Sequence, residues 1–298
     1  VHTSPLCIFG EVLFDHFPDG RQVLGGAPFN VAWHLQAFGA DPRFVSAVGA
    51  DAEGARVRAA MADWGMDTGA LQTAPAHPTG RVEVSLERGE PSYDIVADCA
   101  YDHVRAASEP APCGLLYHGT LALRHADARA ALEAVRSAGV DQVFVDVNLR
   151  DPWWSREQTL ALIGAADWAK LNHDELVLLD DADTDADTPL ASRARAFLER
   201  HRLSGLLVTL GGDGALGLGV DTAPVHVAPQ PAQEVIDTVG AGDAFAAVTI
   251  LGLLQDWPLQ ATLERAQAFA SRIVAQRGAT AAEPELYQPF IERWGLTT

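Results

Sequence analysis

Short runs of consecutive apolar residues alternate along this chain with segments whose apolar positions recur three and four residues apart. LCIFG (Leu6–Gly10), FVSAVG (Phe44–Gly49), GLLYHG (Gly114–Gly119), QVFVDVN (Gln142–Asn148), DWAKLN (Asp167–Asn172), GLLVTLGG (Gly205–Gly212) and ALGLGV (Ala215–Val220) have the length and flanking turn residues of buried strands. Helical spacing separates them. Val31, Leu35 and Phe38 share one face after Pro28, and a second helix is expected over DAEGARVRAAMADWG with Asp51 as its cap. Others are expected from about His125 to Ala138 and from Leu259 to about Gln276. Five or more strand–helix repeats predict an α/β fold, one domain over 1–298, on a doubly wound, mainly parallel sheet flanked by helices.

The rhythm breaks between Thr79 and Asp102. There Val82, Val84 and Leu86 fall on one side of an alternating segment and Glu83, Ser85 and Glu87 on the other, with a turn at Arg88–Pro91. This is the pattern of a half-buried hairpin. Inside an α/β chain it suggests a small sheet standing off the main one, a piece that can act as a lid. A loop carrying Asp19, Gly20 and Gly25-Gly26 is expected between the first strand and the first helix. Glu11 and Asp15 follow the first strand, where open parallel sheets bind ligands.

DTVGAGDAFAAVTILGLLQ (Asp237–Gln255) reads as a glycine-flanked loop entering a buried helix. The N–H groups at Gly240, Ala241, Gly242 and Asp243 would face an anion with the positive end of the helix dipole behind them. Asp243 would repel a bound phosphate and is better suited to act on a neighbouring hydroxyl. Read alone, it is more simply a first-turn acid favoured by the dipole.

Composition narrows the function classes. The chain carries a formal charge of −19, and Lys170 is its only lysine, which excludes nucleic acid and anionic membranes as partners. Such acidity fits a saline setting or a GC-rich genome. The run from Ala244 stops at Gln255, too short to span a bilayer, and no secretory leader is expected. Cys7, Cys99 and Cys113 are odd in number and lack CxxC spacing, which predicts reduced thiols, a cytoplasmic location and neither disulfide nor zinc site. Asp180–Pro189 reads as an exposed acidic loop without the spacing of a calcium loop.

Several motifs are excluded. Gly212, Gly214 and Gly217 satisfy G-x-G-x-x-G, but ALGLGV continues as a strand, so a hairpin turn replaces the dinucleotide reading and a dehydrogenase is disfavoured. P-loop, protein-kinase and α/β-hydrolase signatures are absent, and none of the ten histidines falls in HExxH. Each histidine is therefore read as a packing or surface residue, His118 and His173 included. Asn172 and Glu175 form N-x-x-E, either Mg²⁺-suited oxygen ligands on one helical turn or a helix cap with Glu175 at its third position.

Taken together, GEVLFD, GGAPFNVAWHLQAFG, VSAVGADAEG, YHGTLAL, DVNLRDPWW, KLNHDE, VTLGGDGA, DTVGAGDAF and AQRGA resemble, in consistent order from Ile8 to about Ala279, the ribokinase family of carbohydrate kinases, and within it most nearly the fructokinases. The resemblance implies a ribokinase-like fold with a small β-sheet lid, formed by about residues 11–27 and 79–105. It implies ATP, Mg²⁺ and K⁺ as cofactors. Asp15, Gly26 and Asn30 match the family's sugar ligands and Asp243 its base, with Gly240, Ala241 and Gly242 in the anion hole. Arg150 matches a position near the transferred phosphate, and Thr209, Gly211 and Gly214 match nucleotide contacts. Asn172 and Glu175 match the magnesium and phosphate motif, and Asp237 a monovalent-cation ligand beside carbonyls near Arg277 and Gly278.

The segment GGAPFN lacks the lysine of the family's GGKGxN, which argues against an acceptor that already carries phosphate, although Arg81, Arg88 and Arg105 could compensate. Fructose is the first expectation. Ribose, 2-keto-3-deoxygluconate, a nucleoside, or a catalytically silent binding homologue stay open. Tyr93 and Tyr101 are candidate lid side chains for sugar choice, and the effect of Phe29 on the pocket is open. The family resemblance also implies a homodimer through the lid.

Overall fold

Neighbouring residues of the central strands bury on opposite faces, which requires helices on both. Val143 and Val145 pack with Ala169, Leu171, Leu206 and Val208 on one side, while Phe144 and Leu207 join Ile8, Phe44 and Leu115 on the other. The computed structural model describes residues 5–87, 90–109, 111–180, 187–229 and 235–296, without the side chains at 86, 87, 90 and 91. The predicted turn at 88–91, with Arg88, and the acidic stretch 181–186 therefore fall wholly or largely outside the described residues.

In chain order the strands are β1 (Leu6–Phe9), β2 (Leu13–His16), β3 (Gln22–Gly25), β4 (Arg43–Val48), β5 (Leu71–Thr73), β6 (Gly80–Glu87), β7 (Glu90–Ile95), β8 (Cys113–His118), β9 (Val140–Asp146), β10 (Trp168–Asn172), β11 (Gly205–Thr209), β12 (Ala215–Gly219) and β13 (Val225–Val227). The helices are α1 (Ala27–Ala37), α2 (Ala52–Asp63), α3 (Ala126–Ser137), α4 (Arg156–Ile163), α5 (His173–Leu179), α6 (Leu190–His201), α7 (Ala241–Leu254), α8 (Leu259–Ile273) and α9 (Gln288–Trp294).

The main sheet runs β13-β12-β11-β10-β9-β8-β1-β4-β5. It is parallel from β5 to β11 and antiparallel only where β12 and β13 close its far edge. The chain leaves β1 toward β4 and returns to β8 on the other side, so the topological switch lies at β1/β8 and ligands are expected beyond the carboxyl ends there. A separate sheet, β3-β2-β6-β7, carries the predicted hairpin, with Val82 and Val84 buried and Glu83 and Ser85 exposed. The segment expected as a loop after β1 contributes the other two strands. The two pair antiparallel with each other, and β2 also runs parallel to the distant β6, a partner the local sequence did not disclose.

Helix α7 is apolar all round and buried from Ala244 to Gly252, packed between α1 and α8. Gly252 permits the close approach to α8, since a Cβ there would lie 2.5 Å from Thr262 Cγ2. Asp51 caps α2 as expected, accepting from Gly54 N at 2.7 Å, and also holds Thr79 N and Oγ1 at 2.8 and 2.7 Å. One carboxylate thus fixes both a helix start and the entry into β6.

Candidate active site

At the N-terminus of α7, Gly240 adopts φ 82° and is the N-cap. A Cβ there would meet Ala279 Cβ at 2.4 Å, so the residue must be glycine for its backbone conformation and for its neighbour. Gly242 is exposed and Asp243 half-buried in the first turn. The Asp243 carboxylate accepts a 2.7 Å hydrogen bond from Asn30 Nδ2 on α1. Burial pushes its pKa from 3.8 to about 6, against the Asn30 bond, and Asp146 adds to the rise while Lys170 and Arg150 oppose it. Asp243 is therefore a carboxylate at neutral pH with raised basicity. Arg150, exposed after β9, lies close enough for its charge to act on this group.

Asn30 and Asp15 converge on Gly25. A Cβ at Gly25 would stand 3.8 Å from Asn30 Oδ1 and 4.0 Å from Asp15 Oδ2. Asn30 Oδ1 is buried with no hydrogen-bond partner in the protein, an acceptor awaiting a donor. Asp15 is half-buried, and burial raises its pKa to about 6. Gly26 (φ 109°) passes so near Glu11 that a Cβ would lie 2.7 Å from its carbonyl oxygen. Phe29 points away from this pocket into the core against Phe44 and Trp33, because consecutive helical residues face about 100° apart. Tyr101 is fully buried, packed with Leu13, Val82 and Ile95 of the small sheet and bonded by Arg124, while Tyr93 is 54% exposed.

Two buried groups to which the sequence assigned no chemical role complete the pocket. Lys170 Nζ pairs with Asp146 Oδ1 at 2.7 Å, and Tyr117 donates to Asp146 Oδ2 at 3.1 Å. The ammonium lies directly under the anion loop: a Cβ at Gly242 would be 3.6 Å from Nζ. Burial opposes the Lys170 charge, but Asp146 outweighs it and holds the amine above the usual lysine range. The available signal was the lone lysine of the chain lying in an apolar strand. Glu11, 2% exposed with Oε2 unpartnered, is pushed up to about 7 by burial foremost, against its own backbone N–H, with Asp243 adding to the rise.

Asn172 and Glu175 form a reciprocal capping box at α5, with Asn172 Oδ1 accepting from Glu175 N and Glu175 Oε2 from Asn172 N, both at 2.8 Å. Glu175 Oε1 accepts from Leu149 N at 3.0 Å, so each carboxylate oxygen already has a backbone donor. Asn172 remains exposed and lies in register beside Thr209. After Thr209, Gly211 turns at φ 57° into open space. Gly214 is required by packing, with Val227 O 1.9 Å from any Cβ, and Gly217 packs on Leu263; the expected hairpin turn between β11 and β12 is present. Asp237 accepts from Val239 N at 3.0 Å and from Gly278 N at 3.1 Å, which brings it to the 277–278 turn. His118 is buried and neutral at pH 7, burial lowering it to about 4, and His173 is at the surface.

The model of the pfkB family carbohydrate kinases matches residues 8–286. A fructokinase of Salmonella typhimurium is 30% identical over 98% of this chain and 99% of its own. A double-mutant fructokinase from Vibrio cholerae O395, solved in a fructose-, ADP- and potassium-ion-bound form, superposes with a TM-score of 0.78 at 26% identity, covering 96% of this chain and 97% of that one. The ATP-bound fructokinase of Xylella fastidiosa, at 23% identity and TM-score 0.83 over 98% and 99% of the two chains, shares the fold.

Proposed function

This chain belongs to the pfkB family of carbohydrate kinases and is a sugar kinase, and we propose that it transfers the γ-phosphate of ATP to a primary hydroxyl of unphosphorylated fructose. The observation that carries the reading is the Asn30–Asp243 pair at the mouth of α7, with the orphaned Asn30 Oδ1 and Asp15 Oδ2 beside it. A carboxylate with pKa of about 6 suits a general base at neutral pH. Asp243 takes the proton of the sugar hydroxyl, its oxygen forms a bond to the γ-phosphorus, and the bond to the ADP oxygen breaks. The N–H groups of Gly240, Ala241, Gly242 and Asp243 receive the charge on the phosphoryl oxygens, with Lys170 beneath them and Arg150 at the rim.

Acid groups dominate the acceptor end, with Asp15, Asp243 and Glu11 all raised by burial. A sugar bearing phosphate would be repelled there, which favours an uncharged acceptor. Thr209, Gly211 and Gly214 lie at the nucleotide end of the same row of strand termini. Mg²⁺, when bound, neutralises charge on the transferring phosphate. Asn172 and Glu175 would hold it through water, since both Glu175 oxygens already accept from backbone and Mg²⁺ commonly retains its waters. Asp237 would hold K⁺ with carbonyls at Arg277 and Gly278. The small sheet closes over the sugar as a lid, and its two open edges, β3 and β7, are the surface for a homodimer. Light scattering that finds only the 31.7 kDa monomer would remove the dimer. Three buried free thiols accord with a reducing cytoplasm.

Sugar-dependent ADP release with ATP, Mg²⁺ and K⁺ tests the assignment across fructose, ribose, 2-keto-3-deoxygluconate, a nucleoside and fructose 6-phosphate. Fructose should give the highest kcat/KM. A higher value with another sugar replaces the acceptor, and no turnover with any of them turns the chain into a binding homologue.

A further inference from the structure

Three histidines and two aspartates meet at the root of the lid, outside the kinase site. His77 lies on the segment that leads into β6, Asp98 (φ 58°) on the segment returning from β7, and His103 closes the 3-10 turn Ala100–His103. His125 and Asp127 open α3 on the body of the molecule. His77 Nδ1 and His103 Nε2 approach the same Asp98 oxygen, Oδ1, at 3.3 and 2.7 Å. The ligand atoms of these three residues all lie within 4.8 Å of one another. On the other side of the His103 ring, Nδ1 meets Asp127 Oδ2 at 3.1 Å.

We propose that His77, Asp98 and His103 form a binding site for a divalent first-row transition ion of the Zn²⁺ class, which ties together the two arms of the lid. Two imidazoles and one carboxylate are the donor set such ions take, with a fourth position left to water. His103 is presented as metal-binding histidines are: one ring nitrogen faces the ion, and the other donates to a carboxylate, Asp127, that fixes the ring's orientation. The alternative trio of His103, His125 and Asp127 is weaker, because His125 Nδ1 already accepts from Asp127 N at 3.3 Å and stands 3.7 Å from the carboxylate. The locus is reachable, with Asp98 71% exposed at its side chain. The His77 and His103 rings stack at 3.6 Å with planes 16° apart, so binding must splay the pair.

The site is independent of which sugar the enzyme takes. Untagged full-length protein, free of nucleotide, is titrated with Co²⁺ and followed by visible absorption, and with Zn²⁺ by calorimetry and histidine NMR. One ion per chain is expected, with low-symmetry Co²⁺ bands and shifted ring signals of His77 and His103. His77→Asn should weaken binding at least about tenfold, and Asp127→Asn by about 10- to 100-fold through loss of the orienting partner. His125→Asn should leave it unchanged. The proposal is overturned by absent binding, or by equal binding in wild type and in a correctly folded His77→Asn variant. Loss of binding in His125→Asn would move the ion to the other trio.

Discussion

Asp243 carries opposite demands, and its pKa makes both measurable. Folding raises it from 3.8 to about 6, so between those values the native protein binds more protons than the unfolded chain. Stability contributed by this group is present below that window and is lost as pH rises through it. Asp243→Asn should therefore be more stable than wild type at pH 8, by at most about 3 kcal/mol and with a higher thermal midpoint, and gain nothing near pH 3.5. Turnover should fall by about 10²- to 10⁴-fold or more, with the residual rate no longer dependent on the acid limb. Equal thermal midpoints at pH 8, or full activity, would contradict the assigned environment. The wild-type acid limb should lie at about 6 to 7, where Asp243 and Glu11 titrate within each other's field.

At the level of elements, α7 is seated on a buried cation that the motif itself does not contain. Lys170 and Asp146 are register partners on β10 and β9, and Nζ reaches under Gly242. Lys170→Met leaves Asp146 as an unpaired buried acid and should cost about 3–5 kcal/mol by denaturant unfolding. It also removes a charge that lowers the Asp243 pKa, so the acid limb of kcat/KM should move upward. A loss of stability without a shifted limb would make Lys170 purely structural. This element also marks the limit of what the chain discloses by itself. Strands such as Phe44–Gly49 and Gln142–Asn148 were legible within a few residues because buried parallel strands are continuously apolar. β2 and β3 were not, since they are four-residue strands paired with each other and joined to the sheet only through β2 on β6, and α4 and α6 lacked the motifs that drew attention elsewhere. Of the site, Asp243 and Asn30 were legible as pattern, but their 2.7 Å contact and the role of Lys170 depend on tertiary proximity. The 3-10 turn Ala100–His103 carries Tyr101 inward beneath Leu13, Val82 and Ile95 of the small sheet, where Arg124 bonds its hydroxyl, a placement that also depends on tertiary contacts.

Across the whole molecule the charge of −19 is a standing repulsion within a compact body. Raising ionic strength from about 10 to about 150 mM shortens the screening length from about 30 to about 8 Å. The thermal midpoint should rise over that range equally in NaCl and tetramethylammonium chloride, since screening does not depend on cation fit. A rise confined to one salt would instead report a specific ion site. The Asn30–Asp243 hydrogen bond joins residues 213 positions apart. At ribosomal rates of about 5–20 residues per second, the second partner follows the first by roughly 10–40 s. During that interval the nascent chain holds Asp15, Gly26 and Asn30, proposed to face the sugar, but lacks the carboxylate proposed to act on it. The proposed pocket is therefore complete only once Asp243 has been made, and a chain released before that residue lacks the proposed base.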